Sequence, residues 1–166
     1  ATPEGGQLTL NSTNDLIAGI GGVTIQAGGT LTLATAGGDV QVGGSWTDGS
    51  AAGPSGLEQA ASAGTIFFTA SGSSSVLNSE PEFRVVQVNA GAEYRLASGA
   101  TVVFLAGGTF TVATGAPGGT FRGGPAGASQ NAIAARFRLN ANAGSTPWVH
   151  SSGVDYDPDN SVVQFV

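Results

Sequence analysis

Short apolar triplets, glycine-rich breaks between them and a scarcity of charge predict an all-β chain wound as a parallel β-helix, a β-solenoid. In Leu8-Thr9-Leu10, Val23-Thr24-Ile25, Leu31-Thr32-Leu33 and Val40-Gln41-Val42, two aliphatic residues flank a polar one. That is the period of two expected of a strand with one face in a core and the other in water. Gly21-Gly22, Gly28-Gly29, Gly37-Gly38 and Gly43-Gly44 fall between the triplets, and glycine suits tight corners because it tolerates positive φ. Only 10% of residues are charged while 40% are hydrophobic, so the chain can bury a core despite its 28 glycines.

The same rhythm returns in Arg84-Val85-Val86-Gln87-Val88, Tyr94-Arg95-Leu96, Val102-Val103-Phe104-Leu105 and Thr109-Phe110-Thr111-Val112. Asn89-Ala90-Gly91, Ala97-Ser98-Gly99 and Ala106-Gly107-Gly108 serve as the turns between them. No window keeps apolar residues at helical spacing without a glycine interrupting it. The best helical segment is Ser55-Gly56-Leu57-Glu58-Gln59-Ala60-Ala61, one or two turns at most. Residues 47 to 64 read as a bulging loop, and residues 113 to 132, rich in Gly, Pro and Ala, as a second loop or junction. Further strands follow in Ala135-Arg136-Phe137-Arg138-Leu139, Trp148-Val149-His150 and Val162-Val163-Gln164-Phe165-Val166. The chain is expected to be one solenoid domain over 1–166, with 133–166 continuing the coil or forming a C-terminal cap or assembly segment. A β-sandwich is the alternative, but sandwich strands run nearer five or six residues. Triplets with glycine corners suit rungs of roughly 20 to 25 residues, each stacked on the last.

The stretch from Gly22-Val23-Thr24-Ile25 through Gly28-Gly29-Thr30-Leu31-Thr32-Leu33 to Gly43-Gly44-Ser45-Trp46-Thr47-Asp48-Gly49 resembles the rungs of bacterial secreted parallel β-helix surface proteins. Thr65-Ile66-Phe67-Phe68-Thr69-Ala70-Ser71-Gly72 and Phe83-Arg84-Val85-Val86-Gln87-Val88 extend the likeness, which covers about residues 7 to 113. Autotransporter passengers and filamentous-haemagglutinin-like repeats are of this kind. The resemblance implies an exported surface protein and brings no catalytic residues with it.

Charge narrows the partners. Eleven acidic residues face five arginines and no lysine, for a net charge of −6. Nucleic-acid binding needs clustered positive charge to displace counterions, and an anionic membrane surface would repel this chain. No apolar run approaches the roughly 20 residues of a spanning helix, so no membrane insertion is expected. The lack of Cys removes disulfides, thiolate metal sites and a Cys nucleophile. The lack of both Cys and Met suits an oxidising setting, and the start at Ala1-Thr2-Pro3-Glu4 fits a chain trimmed after a signal peptide. The expected location is extracellular or at the cell surface.

Few residues offer chemistry. His150 is the sole histidine, and Ser151 beside it lacks the strand-to-helix setting of a nucleophile elbow. Glu80 and Glu82, with Glu93, offer carboxylates for glycoside hydrolysis, weighed against plain solvation in a turn. The sharpest constellation is Asp155-Tyr156-Asp157-Pro158-Asp159-Asn160. Its three alternating carboxylates match the opening of a calcium loop, with Asn160 at the tight position. The closing acidic ligand is missing, since the twelfth position is Val166, and a solvated acidic turn is the competing reading. Calcium at Asp155, Asp157, Asp159 and Asn160 is the only cofactor considered. Thr9, Thr24, Thr32 and Thr111 occupy triplet centres, where an unbroken threonine row would order water. Gln41, Gln87, Arg95 and Val103 interrupt it.

The expected function is a non-catalytic, self-assembling filament or surface-layer subunit. A solenoid has two open ends whose unpaired backbone invites strand addition. No charged or helical cap is visible at either end of the sequence. Contact between unlike ends does not close and so propagates into a homopolymer, and a terminal strand can also be donated. The alternatives are a monomeric adhesin fragment binding surface glycans and a polysaccharide-active β-helix enzyme.

Overall fold

Alternating triplets become strands in the computed structural model, which describes residues 6–12, 15–35, 37–48, 56–69, 74–78, 82–96, 101–113, 119–122, 136–139, 148–150, 155–157 and 162–165. A first rung runs through β1 (Gln7–Leu10), β2 (Leu16–Ala18) and β3 (Val23–Ile25). The second takes β4 (Thr30–Leu33), β5 (Val40–Val42) and β6 (Trp46–Asp48), and the third β7 (Leu57–Gln59), β8 (Ile66–Phe68) and β9 (Ser74–Asn78). Above them come β10 (Glu82–Val88) with β11 (Glu93–Leu96), then β12 (Thr101–Val112) with β13 (Thr120–Arg122). The chain continues through β14 (Arg136–Leu139), β15 (Trp148–His150), β16 (Asp155–Asp157) and β17 (Val162–Phe165). No helix occurs among these residues; the protein is an all-β parallel solenoid.

Three faces carry the ladders. The first begins β1-β4-β7, the second β2-β5-β8-β10, and the third is β3-β6-β9-β11-β13-β16. Two long strands, β10 and β12, bend within the second sheet, while β1-β4-β7 remains a separate sheet. In β10 the register shifts between Phe83 and Val85, after which Val86–Val88 stack on Ile66–Phe68. In β12, Thr101–Phe104 carry β14 while Phe110–Val112 carry β15. Gly107 lies at the bend of β12 with φ of 76°, a conformation that side-chain-bearing residues avoid. Rung spacing fits the predicted coil: Leu16 pairs with Val40, and Val40 with Ile66.

The inward columns hold the fold together. Leu31, Leu33, Val40, Val42, Ile66, Phe68, Val86, Val88, Phe110 and Val112 are all buried, and the residues between them are half-buried. Each such side chain contributes about 1.5–3 kcal/mol when fully removed from water. The described core runs from Ile25 of β3 to Val112 of β12. Aromatic rings thread its middle: Phe68 stacks on Tyr94 at 3.9 Å between centroids, and Trp46 meets the Phe83 ring edge to face at 5.3 Å.

Several segments fold otherwise than expected. Leu57–Gln59, inside the best helical segment and the first expected loop, is strand β7. Its burial alternates buried, exposed, buried, a period of two that no helix has. Thr120–Arg122, inside the second expected loop, is strand β13. Backbone demand explains both, because a rung that skipped a face would strand the N–H and C=O groups of the rung below. Strands β14, β15, β16 and β17 extend the parallel ladders of β12, β13 and β14.

Candidate functional site

Polar side chains cluster at the corners, where they join one rung to the next. Asp15 Oδ1 accepts the Asp39 N–H at 3.0 Å, and Asp39 Oδ1 accepts the Thr65 N–H at 2.7 Å. These residues immediately precede β2, β5 and β8, so the carboxylates form a stair at the corner between the first and second faces. Asp48, fully buried, accepts the Gly56 N–H through Oδ2 at 3.0 Å. Gln59 does most. Its Oε1 accepts the N–H groups of Arg84 at 2.8 Å and Val85 at 3.3 Å, where β10 begins to bend. Its Nε2 donates to the carbonyls of Gly64 at 2.8 Å and Val85 at 3.2 Å. Arg84 Nε in turn donates to the Gln59 carbonyl at 2.7 Å. Tyr94 directs its hydroxyl at the carbonyls of Gly44 and Val42, at 2.7 and 3.0 Å. These groups satisfy backbone atoms at the bends and serve the fold.

Those residues singled out for chemistry that are described lie on several strands. Asp155 and Asp157 lie in strand β16 rather than in a turn, while Asp159 and Asn160 fall outside the described residues. In register, Asp155 stands over Thr120 and Glu93, and Asp157 over Arg122 and Arg95. Among the described residues no group of three metal-ligating side chains forms. Glu93 is held by Arg95 at 2.7 Å on the third face. Glu82 lies on β10 ahead of the bend, over the first face, and Glu80 falls outside the described residues. His150 ends β15, in register with Val112, and Ser151 is likewise outside. The threonines occupy different faces: Thr9 and Thr32 continue into Glu58, whereas Thr24 pairs with Thr47.

What does stand out is the first rung. Leu8, Leu31 and Leu57 share one inward column, yet their exposures are 48%, 4% and 3%. The same step occurs from half-buried Leu16 to Val40 and from half-buried Val23 to Trp46, both fully buried. A core layer is therefore uncovered on its lower side. Gly6, Leu8, Leu16, Val23, Ile25 and Leu31 line a concavity there of about 300 Å³. Ile17 and Ile20, on the same rung, are 72% and 96% exposed. Among the described residues β1, β2 and β3 each pair on one side only, with β4, β5 and β6. Exposed apolar surface beside free strand edges marks a binding surface.

No family model fits the chain, and neither a curated protein nor a solved structure matches it. What stands is the parallel β-solenoid itself, with no family shown for the chain. The sequence reading did not single out Ile17 and Ile20 as exposed on the first rung, nor Gln59 and Tyr94 as corner supports. One signal for the corners was present: Asp15-Leu16 and Asp39-Val40 repeat an Asp-aliphatic step at a spacing of one rung.

Proposed function

We propose that this chain is a non-catalytic structural protein, placed outside the cell or on its surface, that associates with itself into a filament or layer. One observation carries the reading: the uncovered first rung, where Leu8 is half exposed in a column that is otherwise sealed. Covering Leu8, Leu16 and Val23, which line the concavity, would give association part of the about 1.5–3 kcal/mol that each such side chain contributes when taken wholly out of water. The corner bonds support the non-catalytic part. Asp15, Asp39 and Gln59 are spent on backbone groups of the neighbouring rungs, and Glu93 on Arg95. None of them lines the concavity at the first rung.

Negative-stain electron microscopy across a concentration series tests this, with and without a calcium chelator. Uniform fibres or sheets are the expected result, and their loss on chelation would bring Asp155, Asp157, Asp159 and Asn160 into assembly as calcium ligands. Isolated short rods at every concentration would overturn the reading. The monomeric adhesin would then lead, tested on arrays of surface glycans. Release of reducing ends from a polysaccharide would overturn the non-catalytic assignment in favour of a β-helix enzyme.

A further inference from the structure

We infer that a second copy covers the flank formed by the second face and the corner after it, so that coils pair side by side. This rests on the self-association proposed above and gives it a lateral surface distinct from the first rung. Ile17 and Ile20 point to such a surface. Ile17 holds the outward, middle position of β2, and Ile20 lies in the turn after that strand. At 72% and 96% exposed they are the barest large apolar side chains among the described residues, and neither lines the concavity under the first rung. A partner seated in that concavity need not touch them.

Charge selects the same flank. The chain carries eleven acids and five arginines, yet none falls in 16–22, 40–45, 66–73, 86–92, 110–119 or 148–154. Each of those segments runs from a strand of the second face, or the second-face part of β10 and β12, up to the next strand of the third face. The other two faces do carry charge. Glu58 bonds Thr32 on the first, and Glu93 pairs with Arg95 on the third. For a chain of net charge −6, a second copy meets the least repulsion, and strips water from the fewest charges, along this flank.

Register supplies the complementarity. The outward column of the second face reads Ile17, Gln41, Phe67, Gln87, Thr111 and Val149, each in register with the next. Gln87 donates to Asn89 on the same flank at 2.9 Å, which holds its amide in place. A twofold axis parallel to the coils sets Ile17 on Ile17, amide on amide and Phe67 on Phe67. Coils pointing in opposite directions would set Phe67 on Gln87 and desolvate an amide against a ring. The pairing therefore joins coils that point the same way. At about 4.8 Å per rung the column is about 24 Å tall, and at about 12 Å wide it falls well short of the about 800 Å² per partner of a standard interface. One pair of chains is thus held weakly, and the contact gains strength by multivalency once several copies are joined.

The chain has no cysteine, so engineered ones report without background. Gln41→Cys and Thr111→Cys mark two rungs of the column, and Glu58→Cys, exposed in the middle of β7, marks the first face as a control. Each variant, and an equal mixture of the first two, is treated with a short bismaleimide under conditions where sedimentation shows assembly. The expected result is about tenfold more cross-linked dimer from Gln41→Cys alone, and from Thr111→Cys alone, than from the control. Adding Phe67→Glu, which puts a charge at the centre of the column, should remove that excess at an unchanged urea midpoint. Cross-linking confined to the mixture would overturn the common direction of the coils. Assembly in which neither flank cysteine exceeds the control, or in which Phe67→Glu makes no difference, would overturn the lateral contact. A wild-type chain that sediments as a monomer at every concentration would instead overturn the self-association on which the inference rests.

Discussion

The first rung and the rungs above it are built from the same triplets but meet different fates. Leu8-Thr9-Leu10 and Leu31-Thr32-Leu33 share residue types, strand and register, yet only the second is sealed. Nothing in the side chains makes the difference; position in the stack does. In a solenoid each rung contributes a slice of core that is finished only by its neighbours, so an end rung keeps an unfinished slice. The middle rungs bury their apolar side chains, and the first rung leaves Leu8 half in water.

Paired truncations break this comparison most sharply. Phe68→Ala empties a fully buried site against Tyr94 and is expected to cost about 3–5 kcal/mol, seen as a large drop in the urea midpoint. Leu8→Ala removes a side chain already half in water and is expected to cost under about 1 kcal/mol in the monomer. Equal losses at the two positions would mean that the first rung is sealed in solution.

A smaller effect probes the corners. Gln59→Leu keeps comparable bulk but strands the Arg84 and Val85 N–H groups and the Gly64 carbonyl, for a loss of about 2–3 kcal/mol. Hydrogen exchange at Arg84 and Val85 should rise well before exchange at the centre of β8 does. Smaller again is Tyr94→Phe, which retains the stacked ring and loses one hydroxyl bond, for about 1 kcal/mol by the same urea measurement. A neutral result there would mean that the Gly44 carbonyl finds another donor.

The sequence made the triplet strands legible because alternation of side chains is a local property. Strand β7 was hidden: Leu57-Glu58-Gln59 also alternates, but it is short and embedded between Pro54 and a run of alanines. Strand β9, Ser74–Asn78, is mostly polar, and its pairing with β6 and β11 gives it shape that its composition does not announce. The corners were hidden for a different reason. Gln59 and Asp39 look like ordinary loop residues until the coil brings a strand one rung away within reach of their side chains. The expected calcium set was a local pattern of alternating carboxylates; that Asp155 and Asp157 belong to a strand, with Asp157 in register with Arg122 and Arg95, depended on the coil. The exposure of Ile17 and Ile20 on the first rung could not be read from the sequence, because it depended on the stacking.

The central claim is that the uncovered first rung drives association, and sedimentation velocity across a concentration series tests it most directly. The wild-type chain is compared with the double variant Leu8→Asp, Ile20→Asp, which keeps every sealed column above the first rung. The account predicts that wild-type species grow with concentration while the variant stays monomeric and unfolds at nearly the wild-type urea midpoint. Equal growth of both, or a wild-type chain that remains monomeric throughout, would contradict it.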